Sequence, residues 1–261
     1  MNYDSLMGKL SSDGVEIIHI DEPFSFNDCF PLGNRVFVLD NYLSTNIHLW
    51  LDETWMMQTW WAKSNQVRRN GRVSEGRNTQ PYHQFWGASI LRHRPGDDPT
   101  KASHDKETGR SDELASFGTL WLERKLRTDF SFEWIRFQYA GLNSQSTGLD
   151  GTCHTDCDDM DDWNCSFLWY SNPYWFDFWG GDLNLYSEII LGGTQFDEKL
   201  KKHLVGSIKF KPNRLVIFDG RIPHQACSPN RNSGWTDRRS IVIRGDEIRT
   251  LDKQERYYAH N

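Results

Sequence analysis

His154-Thr155-Asp156 sets an imidazole and a carboxylate two residues apart. In extended backbone, residues i and i+2 project to one face, so both groups can meet a single metal ion. A third ligand must come from elsewhere in the chain, and His224 is well placed. It follows the apolar run 214–218 and the turn-like Asp219-Gly220. Two imidazoles and one carboxylate on one side of a metal leave three positions open, the arrangement of oxygen-activating non-haem Fe(II) centres. An HxD pair alone recurs by chance, and a strand histidine is commonly a packing residue. The ordered context gives this pair its weight.

That context consists of elements able to hold the ligands. Gly180-Gly181-Asp182-Leu183 turns into a strand, Lys211-Pro212-Asn213-Arg214 leads into Leu215-Val216-Ile217-Phe218, and Arg238-Arg239-Ser240 opens a last strand. Short β-type runs at 134–139, 166–170, 183–186, 205–211, 215–218 and 240–243 are mostly separated by Gly, Pro, Asn or Asp. Upstream, 36–39 is a short β-type run. A helix capped by Ser44 or Thr45 is expected to about Lys63, with Leu49, Trp50, Glu53, Met57, Trp60 and Trp61 at mixed helical spacing. A second helix is expected over 111–126, starting at Ser111, with Leu114, Phe117, Leu120, Trp121 and Leu122 on its apolar side. Residues 65–110 are poor in apolar periodicity except at 85–91. Arg68, Arg69, Arg72 and Arg77 make their first part basic, so a long loop is expected. Helices first and many short strands later predict a mainly β fold with flanking helices. The core expected is a double-stranded β-helix, or jelly-roll. The expected organisation is one domain over 1–261, with a supporting helical region at 1–129 and the jelly-roll core at 130–250.

The order HTD, WGGDL, KPNRLVIFDGRIPH and RRS resembles the 2-oxoglutarate/Fe(II)-dependent oxygenase superfamily, in the branch similar to prolyl 4-hydroxylases. The resemblance spans about 134–244. It implies that His154, Asp156 and His224 hold Fe(II), with 2-oxoglutarate as cosubstrate, O2 as oxidant and ascorbate as a candidate reductant. It also implies a basic residue at the start of the last strand for the far carboxylate of 2-oxoglutarate. Arg238 is assigned that role because it shares a strand face with Ser240, and a guanidinium can grip a carboxylate in bidentate fashion. A slip of one residue would hand the role to Arg239. Tyr170, before the polar Ser171-Asn172, is a candidate donor to the same carboxylate. Arg244, six residues beyond Arg238 on the same face, is a candidate second cosubstrate contact, and Asn143 a candidate pocket residue.

The implied reaction hydroxylates a substrate C–H bond with release of succinate and CO2. A protein residue, prolyl first, or a small molecule is the expected substrate. Nucleobase hydroxylation or demethylation, and a non-catalytic jelly-roll binding module, are the alternatives. The basic stretch at 68–77 lends the nucleobase reading some support, while a net charge of −6 argues against a global nucleic-acid-binding field. Asp158, Asp159, Asp161 and Asp162 read as a solvated loop. Cys153, Cys157 and Cys165 lack paired C-x2-C spacing, so they read as small buried residues rather than a zinc site. Trp163, Trp169, Trp175 and Trp179 read as core. Five Cys without a disulfide framework, no signal-like start and no apolar run of about 18 to 20 residues lead to a cytoplasmic, non-membrane expectation.

Overall fold

A computed structural model describes residues 14–19, 35–57, 61–63, 85–92, 113–130, 135–151, 153–156, 164–189 and 202–247. The strands are β1 (Val15–His19), β2 (Arg35–Leu39), β3 (Trp61–Lys63), β4 (Phe85–Arg92), β5 (Ile135–Gln145) and β6 (Asn164–Tyr170). They continue with β7 (Leu183–Ile189), β8 (Lys202–Ile208), β9 (Leu215–Asp219), β10 (His224–Ala226) and β11 (Arg238–Glu247). Two helices, α1 (Thr45–Met56) and α2 (Glu113–Phe130), lie among them. An eight-stranded antiparallel sheet runs β1-β2-β9-β6-β11-β5-β4-β3, and a second sheet runs β10-β7-β8. The result is the mainly β, jelly-roll architecture expected from the strand spacing.

Strand alternation divides the core into two layers. Phe37, Phe167, Trp169, Leu215, Ile217, Ile241 and Ile243 pack with Leu51, Trp55, Leu122 and Leu126 of the helices. The intervening residues Val36, Val38, Leu168, Tyr170, Val216 and Phe218 pack with Leu183, Leu185, Ile208 and Phe210 around the small sheet. The central strands of the large sheet, β2, β9, β6 and β11, are therefore buried on both faces, and the space between the two sheets is the interior available to a site.

Long-range polar contacts fix this arrangement. Asn213 takes φ 58° in the turn before β9, a left-handed conformation that Asn tolerates well. Its buried amide accepts from Leu43 N–H at 2.9 Å and Trp169 Nε1 at 3.1 Å, and donates to Leu43 C=O at 2.6 Å. Arg214 beside it pairs through Nε and Nη2 with Asp40 at 2.5 and 2.9 Å, tying the start of β9 to the end of β2.

The helices differ from expectation in detail. Helix α1 ends at Met56, and Trp61–Lys63 is a strand paired with Phe85–Gly87. Its buried face is His48, Leu51, Asp52, Thr54 and Trp55, whereas Leu49, Glu53 and Met57 are exposed. In α2 Phe117 is exposed, and the buried positions include Thr119, Leu122, Glu123 and Leu126. Ser111, Trp60, Arg68 to Arg77, Cys157, the acidic run 158–162 and Trp163 lie outside the described residues. So does most of the expected loop 65–110, although 85–92 forms β4. No described helix is long and apolar enough to cross a membrane.

Glu123 is a local conflict in this core. Its Oε1 is buried without a hydrogen-bond partner, and burial, opposed by Arg127, pushes its carboxyl up to about 8. The unfolded value is about 4.3, so the folded state holds the extra proton between these pH values. Glu123's contribution to stability is present below about 4.3 and lost as pH rises through about 8. Glu123→Gln should raise Tm by several degrees at pH 8, with the gain shrinking towards pH 5. Melting both proteins across that range tests this, and a gain independent of pH would contradict it.

Candidate active site

His154 and His224 form an isolated antiparallel bridge, each N–H donating to the other's carbonyl at 3.0 and 2.9 Å. This pairing brings their rings within 4.4 Å, centroid to centroid. Two residues on, Asp156 N–H donates to Gly220 C=O at 2.6 Å. The potential ligand atoms of His154, Asp156 and His224 all lie within 4.8 Å of one another. Nε2 of His154 is 3.3 Å from Asp156 Oδ1, and Nε2 of His224 is 3.7 Å from Oδ2. Donors so grouped can close on one small divalent ion.

Their protonation states suit a metal. His224 Nδ1 lies 2.9 Å from Ile222 C=O. A carbonyl only accepts, so the proton sits on Nδ1 and Nε2 presents its lone pair to the site. Burial, reinforced by His154 and opposed by Asp156, pushes His224 down to about 4, leaving it neutral at pH 7. Burial would raise Asp156, but Arg244, His224 and His154 together hold it well below the usual carboxylate value. Ser166 Oγ on β6 donates to Asp156 Oδ2 at 2.5 Å, and Arg244 Nη2 pairs with Oδ1.

One turn supports both halves of this triad. Between β9 and β10, Gly220 C=O holds Asp156, Ile222 C=O holds the His224 ring, and Pro223 C=O accepts from Tyr186 N–H at 2.9 Å. Asp219 staples the turn, accepting from Arg221 N, Nε and Nη2 at 2.9, 3.0 and 2.7 Å, with both side chains buried. The sequence reading took Asp219-Gly220 only as a turn and did not single out Arg221. The signal available was a charged Asp-Gly-Arg directly after an all-apolar strand.

At the other end of the interior, Arg238 is 1% exposed. Its Nε donates to Gly181 C=O and its Nη1 to Gln145 Oε1, both at 2.8 Å. Ser240 Oγ lies at 3.5 Å. The guanidinium sits over the Tyr170 and Phe210 rings at 4.9 and 5.2 Å. Nη2 of Arg238 and the hydroxyl of Tyr170 are buried without a hydrogen-bond partner, and no described carboxylate forms an ion pair with Arg238. The nearby Asp182 is engaged by Lys209 at 2.6 Å. Burial pulls Arg238 below its ordinary value, yet an arginine keeps its proton. A buried cation with idle donors fits an incoming carboxylate.

Gln145 is the residue the sequence reading missed here. It lies opposite Arg238 on β5, 1% exposed. Its amide nitrogen donates to Leu149 and Ala226 carbonyls, both at 3.1 Å, so its oxygen must face Arg238. Gly181 contributes at φ 85°. An added Cβ there would lie 3.1 Å from the Trp175 ring and 3.3 Å from Arg238 Cδ. Glycine thus permits both the turn and the close approach. Arg239 points to the opposite face, where Nε and Nη2 pair with Asp52 of α1 at 3.0 and 2.8 Å. Ser240 lies directly across from Tyr170 and Asn143. Arg244 does not join Arg238. Six residues of strand separate their Cα atoms by about 20 Å at roughly 3.3 Å per residue, and the structure places Arg244 on Asp156 instead. Trp169 packs against the helices, whereas Trp175 packs on Phe210 and Trp179 on Phe176. Cys153 and Cys165 are buried.

Residues 140–243 match the family model of the 2OG-Fe(II) oxygenase superfamily. Members of that superfamily use Fe(II), 2-oxoglutarate and O2. Among solved structures, a Trichoplax adhaerens prolyl hydroxylase, in complex with a hypoxia inducible factor oxygen degradation domain peptide fragment, is similar. It shares 17% identity at a TM-score of 0.51 over 98% of this chain and 91% of that one. At that identity the likeness shows the fold. A Pseudomonas putida prolyl-4-hydroxylase aligns at 15% identity and TM-score 0.48, over 81% and 92% of the two chains. A Burkholderia pseudomallei oxidoreductase of the 2OG-Fe(II) oxygenase family aligns at 11% and 0.49, over 94% and 91%. No curated protein matches the chain.

Proposed function

We propose that the chain is a 2-oxoglutarate- and Fe(II)-dependent hydroxylase, with iron held by His154, Asp156 and His224 and the far carboxylate of 2-oxoglutarate held by Arg238. The observation that carries the cosubstrate assignment is the buried Arg238 guanidinium, with Nη2 and the Tyr170 hydroxyl both lacking partners. A dicarboxylate reaching from the triad towards Arg238 satisfies both. Fe(II) and 2-oxoglutarate, when bound, supply oxidative decarboxylation to succinate and CO2 coupled to hydroxylation of a substrate C–H bond.

The chain's own part is orientation and exclusion of water. Ile222 C=O keeps the His224 lone pair directed into the site, and Ser166 and Arg244 fix the Asp156 carboxylate. Gly181 and Gln145 lock the Arg238 guanidinium, so that its idle donors and the Tyr170 hydroxyl are available to one carboxylate. Leu168, Leu185, Phe210 and Phe218 line the layer between the sheets and keep it apolar. A side chain of a protein, prolyl included, or a small molecule is the substrate in this reading. Fe(II)-loaded protein should convert 2-oxoglutarate to succinate in the presence of O2, and Asp156→Ala should abolish the conversion. Equal succinate release from both proteins would overturn the proposal.

A further inference from the structure

We infer that the cleft beyond the end of α1, on the face of β11 opposite Arg238, is a docking site for a partner protein segment carrying an arginine side chain. The odd-numbered residues of β11 face the helix layer, and Ile241 and Ile243 pack there with Leu51 and Trp55 of α1. Arg239, on the same face, stands directly across from Ser144 on β5, and Ser144 directly across from Trp86 on β4. The three therefore form one cross-strand row. Helix α1 stops at Met56 and leaves the row uncovered by its apolar side. Met56, Tyr174, Trp235 and Asp237 complete a cleft of about 480 Å³ over it, a volume suited to a ligand. The proposed iron and 2-oxoglutarate positions lie on the other side of the large sheet.

Rings and charge decide the occupant. Trp235 is fully exposed, and Trp86 and Tyr174 are exposed beside the same cleft. Large rings held in water add nothing to the fold, and clustered ones mark an interaction surface. Their frame is fixed. Thr236 N–H donates to Ser233 C=O at 3.0 Å, closing the turn that carries Trp235. Asn172 Nδ2 donates to Asp237 C=O at 2.8 Å, and its Oδ1 accepts from Arg239 N–H at 2.7 Å. Asp237 Oδ2 accepts from Ser144 Oγ at 2.9 Å, and among the described residues no cation pairs with Asp237. Arg239 is taken by Asp52 at 3.0 and 2.8 Å. Two carboxylates against one guanidinium leave the cleft with a net negative charge. Aromatic faces and an unpaired carboxylate both attract a cation. A guanidinium suits them better than an ammonium, because it can stack on a ring while donating to Asp237 in its own plane. The cleft is larger than such a head group, and exposed rings continue past it. Tyr174 lies edge-on to Trp179 at 5.9 Å, Trp179 to Phe176 at 4.9 Å, and Phe176 stacks on Phe178 at 5.6 Å. Phe176 and Phe178 are exposed. That ridge offers contacts to residues flanking an arginine in a chain, which a free guanidinium compound lacks.

Saturation-transfer NMR on the full chain tests this with N-acetyl-Gly-Leu-X-Leu-Gly amides, where X is arginine, citrulline, lysine or glutamate. The leucines let flanking residues reach the ridge. The arginine peptide should bind about tenfold more tightly than the citrulline peptide, which has the same shape without the charge. The lysine peptide should fall between them, and the glutamate peptide should bind most weakly. Asp237→Asn keeps an acceptor for Ser144 and should erase the preference for arginine over citrulline. Trp235→Ala removes a fully exposed ring, so Tm should hold while affinity for the arginine peptide falls about fivefold. Equal binding of the arginine and citrulline peptides, or binding of neither, would overturn the inference. So would an unchanged preference in Asp237→Asn, or an unchanged affinity in Trp235→Ala. Tighter binding of decaproline than of the arginine peptide would make the cleft a polyproline groove instead. N-acetylarginine methylamide binding as tightly as the peptide would remove the case for a protein partner. Loss of arginine-peptide binding in Asp156→Ala would move the peptide to the proposed iron site and overturn the inference as well. Peptide binding at the cleft needs neither iron nor 2-oxoglutarate, so a failure to form succinate bears on the oxygenase reading alone.

Discussion

Arg238→Met is expected to weaken 2-oxoglutarate binding by about two to three orders of magnitude. Removing one member of a buried, hydrogen-bonded charge pair costs roughly 2–5 kcal/mol, and about 1.4 kcal/mol is a factor of ten. Met fills similar space, but it leaves Gly181 C=O and Gln145 Oε1 without the donors they now have. Part of the loss therefore comes from the pocket itself. Arg238→Lys keeps the charge but cannot reach Gly181, Gln145 and a carboxylate at once, so its affinity should fall between the two. Arg239→Ala is the control. It removes the pair with Asp52 and should lower Tm, yet leave 2-oxoglutarate affinity within about twofold. Calorimetric titration of the four proteins under anaerobic conditions gives the ranking. If Arg239→Ala loses more affinity than Arg238→Met, the cosubstrate assignment is wrong.

Asp156→Ala should cost at least about a hundredfold in Fe(II) affinity. Loss of a residue that merely orients a metal ligand already costs 10–100-fold, and here the only carboxylate of the triad disappears. The change also strips Arg244 and Ser166 of their shared acceptor. Metal content after desalting, with Co(II) absorption as a second readout, measures it. Retention of metal at full stoichiometry by Asp156→Ala would place the ion elsewhere.

The grouping of His154, Asp156 and His224 could be read from the sequence because its logic is local. Two residues in extended backbone share a face, and a histidine just past an apolar strand is presented at that strand's end. The inward face of Arg238 followed from the same alternation relative to Ser240, and the outward Arg239 found its partner on α1. Gly180-Gly181 was legible as a turn, though its close approach to Arg238 was not. Gln145 and Arg221 escaped notice because their roles depend on relations absent from a linear pattern. Gln145 acts through the register of β5 on β11 and through the carbonyl of Ala226. Arg221 acts by closing a turn on the residue two before it. Helix α1 was extended too far because Trp60, Trp61 and Lys63 continue a helical pattern, whereas pairing with β4 draws Trp61–Lys63 into a strand. Phe117 was assigned to the core by apolarity alone. The buried stripe of α2 instead passes through Thr119 and Glu123, one of which is polar and the other ionisable.

The central claim is that one interior holds Fe(II) at His154, Asp156 and His224 and 2-oxoglutarate between that ion and Arg238. The measurement that meets it most directly is an anaerobic titration of Fe(II)-loaded protein with 2-oxoglutarate, followed in the visible range. Chelation of the metal by the 2-oxo acid should produce a weak charge-transfer band that saturates at one equivalent. The band should be absent in Asp156→Ala and require far more 2-oxoglutarate in Arg238→Met. No band in the unsubstituted protein, with no iron retained at His154 and His224, would contradict the account.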